Sequence, residues 1–154
     1  MKNQKGFTLI ESIIYLALFT IIIGGGLVAT YQIIQGAEGA VNHVTLQGEA
    51  NFLFRKIDWA LTGATFITAP YTFQLDVTKG GSLTFTQADG NITLDRGSGP
   101  VILNSSSIVV NFLNFQVVEE SGKPKKVIVD FTLSTFQSGK VASQAFTMTK
   151  YLRQ

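Results

Sequence analysis

Lys5-Gly6-Phe7-Thr8-Leu9-Ile10-Glu11 leads into Ser12 through Ala37, a run with no Asp, Glu, Lys or Arg. An apolar stretch of that length suits a helix that crosses a bilayer, whose hydrocarbon spans about 20 helical residues. Glu11 is the one carboxylate in it, and an ionised side chain at mid-membrane costs on the order of 2.5 to 3.5 kcal/mol on insertion scales. Such a charge requires a partner. Lys2 and Lys5 precede the run and Gly6 is small, so a cut after Gly6 would give Phe7 a free ammonium. Glu11 then lies one helical turn away, about 6 Å along the axis. The amine that meets it belongs either to its own chain or to a neighbouring helix shifted slightly along the same direction.

The string KGFTLIES, continued by IIYLALFTIIIGGGLVATYQII, resembles the N-terminal signature of type IV pilins and type II secretion pseudopilins. The resemblance implies that Gly6 is the last leader residue, read by a membrane-embedded prepilin peptidase, and that Phe7 becomes the N-methylated first residue of the mature chain. It also implies that Glu11 pairs with a neighbour's terminal ammonium during assembly. The competing outline is an ordinary secretory signal peptide, removed whole. Here the apolar run exceeds the usual core of about 7 to 15 residues, and no small-x-small cleavage site follows cleanly.

Composition fits one anchor and one head. Of 154 residues, about 90 remain for a soluble core once the anchor and its helical extension are set aside, enough for one modest domain. Loss of Lys2 and Lys5 with the leader would leave ten basic against ten acidic side chains, so the mature chain exerts no bulk pull on nucleic acid or acidic substrates. Cysteine is absent, which removes disulfides, thiolate metal sites and thiol catalysis. The two leader lysines orient the anchor with its N-terminus in the cytoplasm and the head outside.

The expected architecture is α+β, a long N-terminal helix packed on an antiparallel β-sheet head. It divides into residues 1–6 as leader, 7–35 as membrane and polymerisation helix, 36–63 as amphipathic helix and 64–154 as the β head. Leu46, Ala50, Leu53, Ile57 and Leu61 recur at spacings of three and four, so they share one helical face. Gly63 is the expected helix stop. Gly24, Gly25 and Gly26 interrupt the span, each costing a helix about 1 kcal/mol relative to Ala. They either allow close packing between membrane helices or mark a weak point that melts on entry into a filament. Phe52 and Trp59 lie together off the core stripe, where the loop after Gly63 is expected to cover them, a subunit contact being the other option.

Alternation then predicts strands over 72–78, 82–86, 91–95, 108–118, 126–136 and 144–151. Turns are expected at Lys79-Gly80-Gly81, Asp89-Gly90-Asn91, Gly97-Ser98-Gly99-Pro100, Glu120-Ser121-Gly122-Lys123-Pro124 and Ser138-Gly139-Lys140. Val127, Val129, Phe131 and Leu133 should face inward, as should Leu113, Phe115 and Val117. No repeat or second domain is visible.

Catalytic chemistry has little to stand on. His43 is the only histidine and no motif surrounds it, and Glu119 and Glu120 precede a turn, where charge marks solvent. Asp89-Gly90-Asn91 lacks the acidic spacing of an EF-hand and reads as a type I′ turn. No catalytic residue, metal site or cofactor is expected. Lys123, Lys125 and Lys126 form the one basic cluster, a solvated turn by default and a low-affinity contact for DNA phosphates at most.

The reading is therefore a non-enzymatic structural subunit, a minor pilin or pseudopilin. VVNFLNFQVVEE over 109–120 and the terminal Tyr151-Leu152-Arg153 loosely resemble minor pseudopilins. Expected partners are sister subunits, prepilin peptidase, the assembly platform with its ATPase, and the cytoplasmic membrane. The alternative is a membrane-tethered module that binds DNA, a surface or a secreted substrate.

Overall fold

A computed structural model describes residues 8–137 and 140–152. Lys2, Lys5, Gly6, Phe7, Ser138 and Gly139, on which several expectations fall, lie outside the described residues. The chain forms two compact units, residues 1–40 and 41–154.

One helix, α1, runs over Leu9–Leu61 and contributes to both units. In the first unit it is helical through Gly24, Gly25 and Gly26, and a Cβ built on any of the three meets nothing within 4 Å. No contact among the described residues thus requires glycine there. In the second unit the expected stripe is the core face: Leu46, Ala50, Leu53, Ile57 and Leu61 are each at most 2% exposed, and Ala60 joins them. The helix stops where expected. Gly63 takes φ +75°, a left-handed conformation that only glycine adopts without strain. The last turn carries no basic residue of its own. Lys79 supplies the missing cation by donating from Nζ to the Trp59 carbonyl at 2.5 Å, at the negative end of the helix dipole.

Eight strands follow: β1 (Phe66–Tyr71), β2 (Gln74–Thr78), β3 (Ser82–Ala88), β4 (Asn91–Asp95), β5 (Pro100–Ile102), β6 (Ile108–Val118), β7 (Lys126–Gln137) and β8 (Lys140–Tyr151). All pairings are antiparallel, and the architecture is the expected α+β. The head holds two sheets, however, where the sequence reading treats the strands as one. They run β1-β2-β3-β4-β5 and β6-β7-β8. The division arises because the outer edge of β6 meets turns of the first sheet in place of a strand. Val110 N–H donates to the Gly90 carbonyl at 2.8 Å, and Phe115 N–H to the Thr72 carbonyl at 2.6 Å. Gly90 sits at φ +73°, and a Cβ there would come within 3.1 Å of Val109 Cγ1, so glycine serves both the turn and the close approach.

Alternation fixes which faces turn inward. Leu75 and Val77, Leu83 and Phe85, and Ile92 and Leu94 form the buried face of the first sheet. Along β6 the buried set changes parity, from Ile108 and Val110 to Leu113 and Phe115. A bulge causes this: the register to β7 shifts between Val110 and Phe112, leaving Asn111 as the extra residue. Val127, Val129, Phe131 and Leu133 of β7 are at most 1% exposed, as expected, while Val117 is only half-buried. Phe54 of α1 packs on Phe131 with centroids 4.8 Å apart, and Phe131 on Phe146 of β8 at 5.7 Å, so helix and second sheet share the core. Asn104, 6% exposed, rivets the strands together: its Oδ1 accepts from Ile92 N–H, and its Nδ2 donates to Asn91 Oδ1 and the Ile108 carbonyl.

Leu53→Ala is expected to lower unfolding stability by about 2 to 5 kcal/mol through lost burial and a residual cavity. Val44→Ala, on the exposed face, should stay within about 0.5 kcal/mol. Guanidinium unfolding of the detergent-solubilised chain measures both.

Candidate functional site

Thr8 is the residue before the first helical position, and Glu11 is the third residue of α1. Glu11 N–H donates to Thr8 Oγ1 at 3.4 Å, so Thr8 acts as an N-cap. A Thr followed three residues later by Glu before an apolar run is the capping-box pattern. Glu11 thus sits in the first turn, where the positive end of the helix dipole favours a carboxylate. It is half-buried even in the isolated chain. Tyr15, one turn further on, directs its hydroxyl to Glu11 Oε1 at 3.5 Å, a long contact. Sequence reasoning found Glu11 by its isolation but missed Thr8 and Tyr15. The Thr-x-x-Glu spacing was the available signal for the first, and the i, i+4 spacing for the second.

Beyond Glu11 the helix surface is apolar and uncovered. Leu9, Ile10, Leu16, Phe19, Ile21, Ile22 and Leu27 are each at least 60% exposed. Two hydroxyls within the run are satisfied by the helix itself: Thr20 Oγ1 donates to the Leu16 carbonyl at 2.8 Å and Thr30 Oγ1 to the Gly26 carbonyl at 2.9 Å. Bonds back to the preceding turn are what a hydroxyl needs where no water reaches. This is the one described helix long and apolar enough to cross a membrane, with a mean hydropathy of 2.3 over its best 18-residue window.

Residues 1–27 match the prokaryotic N-terminal methylation motif. That motif is the signature of type IV pilins and pseudopilins. Its match takes in Gly6, Phe7, Glu11 and the glycine triplet and ends at Leu27. No curated protein and no solved structure matches the chain. The methylation motif and the uncovered apolar helix together indicate membrane anchoring.

Elsewhere the candidate residues separate. His43 is an exposed helix residue in the second unit. Asp89 and Gly90 both have positive φ, +50° and +73°, and form the two-residue turn between Ala88 and Asn91, as a type I′ turn requires. Lys123 and Lys125 of the β6–β7 loop and Lys126 at the start of β7 are all ion-paired. Lys123 Nζ lies 2.6 Å and Lys126 Nζ 3.3 Å from Glu120, and Lys125 Nζ lies 2.5 Å from Glu119. Two carboxylates against three ammoniums leave this loop with little charge to offer a phosphate backbone.

The aromatic pair also departs from expectation. Phe52 is 39% exposed and Trp59 46%, so the loop after Gly63 does not cover them. Cations from other segments crowd the indole instead. Lys79 Nζ lies 4.5 Å from its ring centre and the Arg96 guanidinium 5.3 Å, from the turns after β2 and β4, while Lys56 approaches Phe52 at 5.3 Å. The reason is the helix end itself, since Lys79 is drawn to the Trp59 carbonyl.

The hydrogen bonds from Lys123 and Lys126 hold the Glu120 carboxyl below the ordinary carboxylate range. A group whose folded value is depressed adds stability above its unfolded value and loses it as pH falls through the folded one. A side-chain carbonyl titration by NMR should therefore place the Glu120 midpoint below that of an unpaired glutamate. Lys123→Ala with Lys126→Ala should return it to the ordinary range.

Proposed function

We propose that this chain is a structural subunit, a minor pilin or pseudopilin, that assembles through α1 into a type IV pilus or type II secretion-like filament. One observation carries the reading: a Thr-capped helix exposes an apolar surface from Leu9 through Ile34 and holds one carboxylate, Glu11, in its first turn. The methylation motif over the same residues supports a type IV pilin-like subunit cut by prepilin peptidase. Cleavage after Gly6 places the new ammonium on Phe7, which is then methylated. Glu11 of one subunit receives the ammonium of a neighbour, so that two charges unwelcome in hydrocarbon cancel and fix the stagger between helices.

Within this reading Lys2 and Lys5 stay on the cytoplasmic side and the head faces outward. Sister subunits bury the exposed side chains of Leu9 through Ile34, and an assembly platform with its ATPase extracts the helix from the cytoplasmic membrane. Gly24, Gly25 and Gly26, with no contact to satisfy among the described residues, serve contacts between helices or local melting in the filament. The head carries no enzymatic role. A tethered binding module draws no support from Lys123, Lys125 and Lys126, whose charges Glu119 and Glu120 already engage.

Edman sequencing and intact mass of the mature protein are expected to show N-methylphenylalanine at position 7 and loss of residues 1–6. Glu11→Ala should leave the protein membrane-bound and lower its incorporation into filaments at least tenfold. A mature chain still starting at Met1, or normal incorporation of Glu11→Ala, would falsify the reading.

A further inference from the structure

Sheet edges expose unpaired backbone groups, and folded proteins usually block them with proline, bulges, charge, short length or a covering segment. Three of the four edges in the head are blocked. β1 carries Pro70 and a register irregularity between Thr68 and Tyr71. β5 has three residues and begins with Pro100. β6 is bonded to the Gly90 and Thr72 carbonyls.

Among the described residues, β8 shows none of these devices between its two terminal lysines. It is 12 residues long, contains no Pro or Gly, keeps an unbroken register with β7, and has no charged residue between Lys140 and Lys150. Leu152 N–H donates to the Lys125 carbonyl, which makes 125 and 152 a hydrogen-bonded pair. The register carries that pattern to every second residue, so Val141, Ser143, Ala145, Thr147 and Thr149 turn their N–H and C=O groups to the open side.

The face of β8 that turns toward α1 is incomplete as well. A groove of about 440 Å³ lies between α1 and Met148, lined also by Asn51, Phe54, Arg55 and Asp58. Asp58 is paired with Lys150 at 2.5 Å, whereas Arg55 forms no ion pair among the described residues. Gln144 Oε1, on the same side of β8, is buried and accepts no hydrogen bond among the described residues.

We propose that the open edge of β8 receives an extended segment of a neighbouring, different subunit, which adds to the three-stranded sheet as a further strand; β8 of a second copy holds no Asp or Glu and so brings no carboxylate to Arg55. This deepens the filament reading above and rests on it. The edge and the groove define the segment's chemistry. It is free of proline and, apart from the part that lies at the groove, uncharged opposite Val141 through Thr147, where β8 itself carries no charge. It places an apolar side chain in the groove beside Phe54 and Met148 and a carboxylate within reach of Arg55. Main-chain bonds supply affinity in such strand addition, and the alternate side chains supply selectivity.

The test is hydrogen exchange on the full-length chain, first alone in detergent and then in filaments formed with its sister subunits. Amides are read by NMR after quenching and dissolution. The expected result is at least tenfold slower exchange at Ser143, Ala145 and Thr147 in the filament, with Gln144 and Phe146, already bonded to β7, unchanged. Ala145→Pro removes one outward N–H, and Ala145→Lys keeps the backbone but adds charge at the edge. Both should melt near the native temperature and lose incorporation at least fivefold. Open exchange at the three amides within filaments, or full incorporation of Ala145→Lys, overturns the proposal while leaving the filament reading intact. Protection already present in the purified chain alone assigns the edge to a second copy and also overturns it. If the native chain never enters filaments, the filament reading fails first.

Discussion

Among the described residues, nothing buries the first half of α1. From Leu9 to Ile34 the large apolar side chains are between 46% and 80% exposed, while Leu46, Leu53 and Ile57 on the same helix are at most 2% exposed. One helix is thus written for two solvents. The stretch from Leu46 on is amphipathic, and its apolar stripe is finished by the sheets. The earlier stretch is apolar all round, a pattern that suits lipid or a bundle of like helices. The hydrophobic effect that folds the head therefore leaves a surface whose burial must come from outside the molecule. In the filament proposed above, the position of a single carboxylate would set how such helices align.

Much of the head was legible because its signals are local. The stripe from Leu46 to Leu61 follows from helical spacing, and Gly63 from the need for a left-handed residue after it. β4 and β6 begin and end where alternation places them. The strands that sequence reading missed, β1 and β5, are the two edges that contain proline. Proline argues against a strand in sequence, yet an edge tolerates it because one side of the backbone is unpaired. The division into two sheets was hidden for a different reason. It depends on β6 bonding to turns roughly twenty and forty residues earlier in the chain, and no periodicity records such contacts.

The candidate site shows the same division between local and distant information. Glu11 stands out in sequence because charge is scarce around it, and the methylation motif lies across it. The loop lysines looked like an available cluster until register brought Glu119 to Lys125 and Glu120 to Lys123 and Lys126. Trp59 looked like a residue awaiting cover, but the end of the helix draws Lys79 to it, and the indole lies within reach of two cations. In both cases composition showed which groups were present, and geometry decided which were already engaged.

Within each sheet every strand pairs with its neighbour in sequence, in the orders β1 to β5 and β6 to β8. Such meanders keep contact order low, so hairpins can close one after another as the chain emerges, without waiting for distant segments. The long-range closures are few: the docking of α1, the bonds from β6 to the Gly90 and Thr72 carbonyls, and the Asn104 rivet that joins the β4 region to β6. With no cysteine to oxidise, none of these steps depends on the redox state of the compartment in which the head folds. A head built this way can mature at a rate set by its own chain, held to the membrane by its first helix while the rest takes shape.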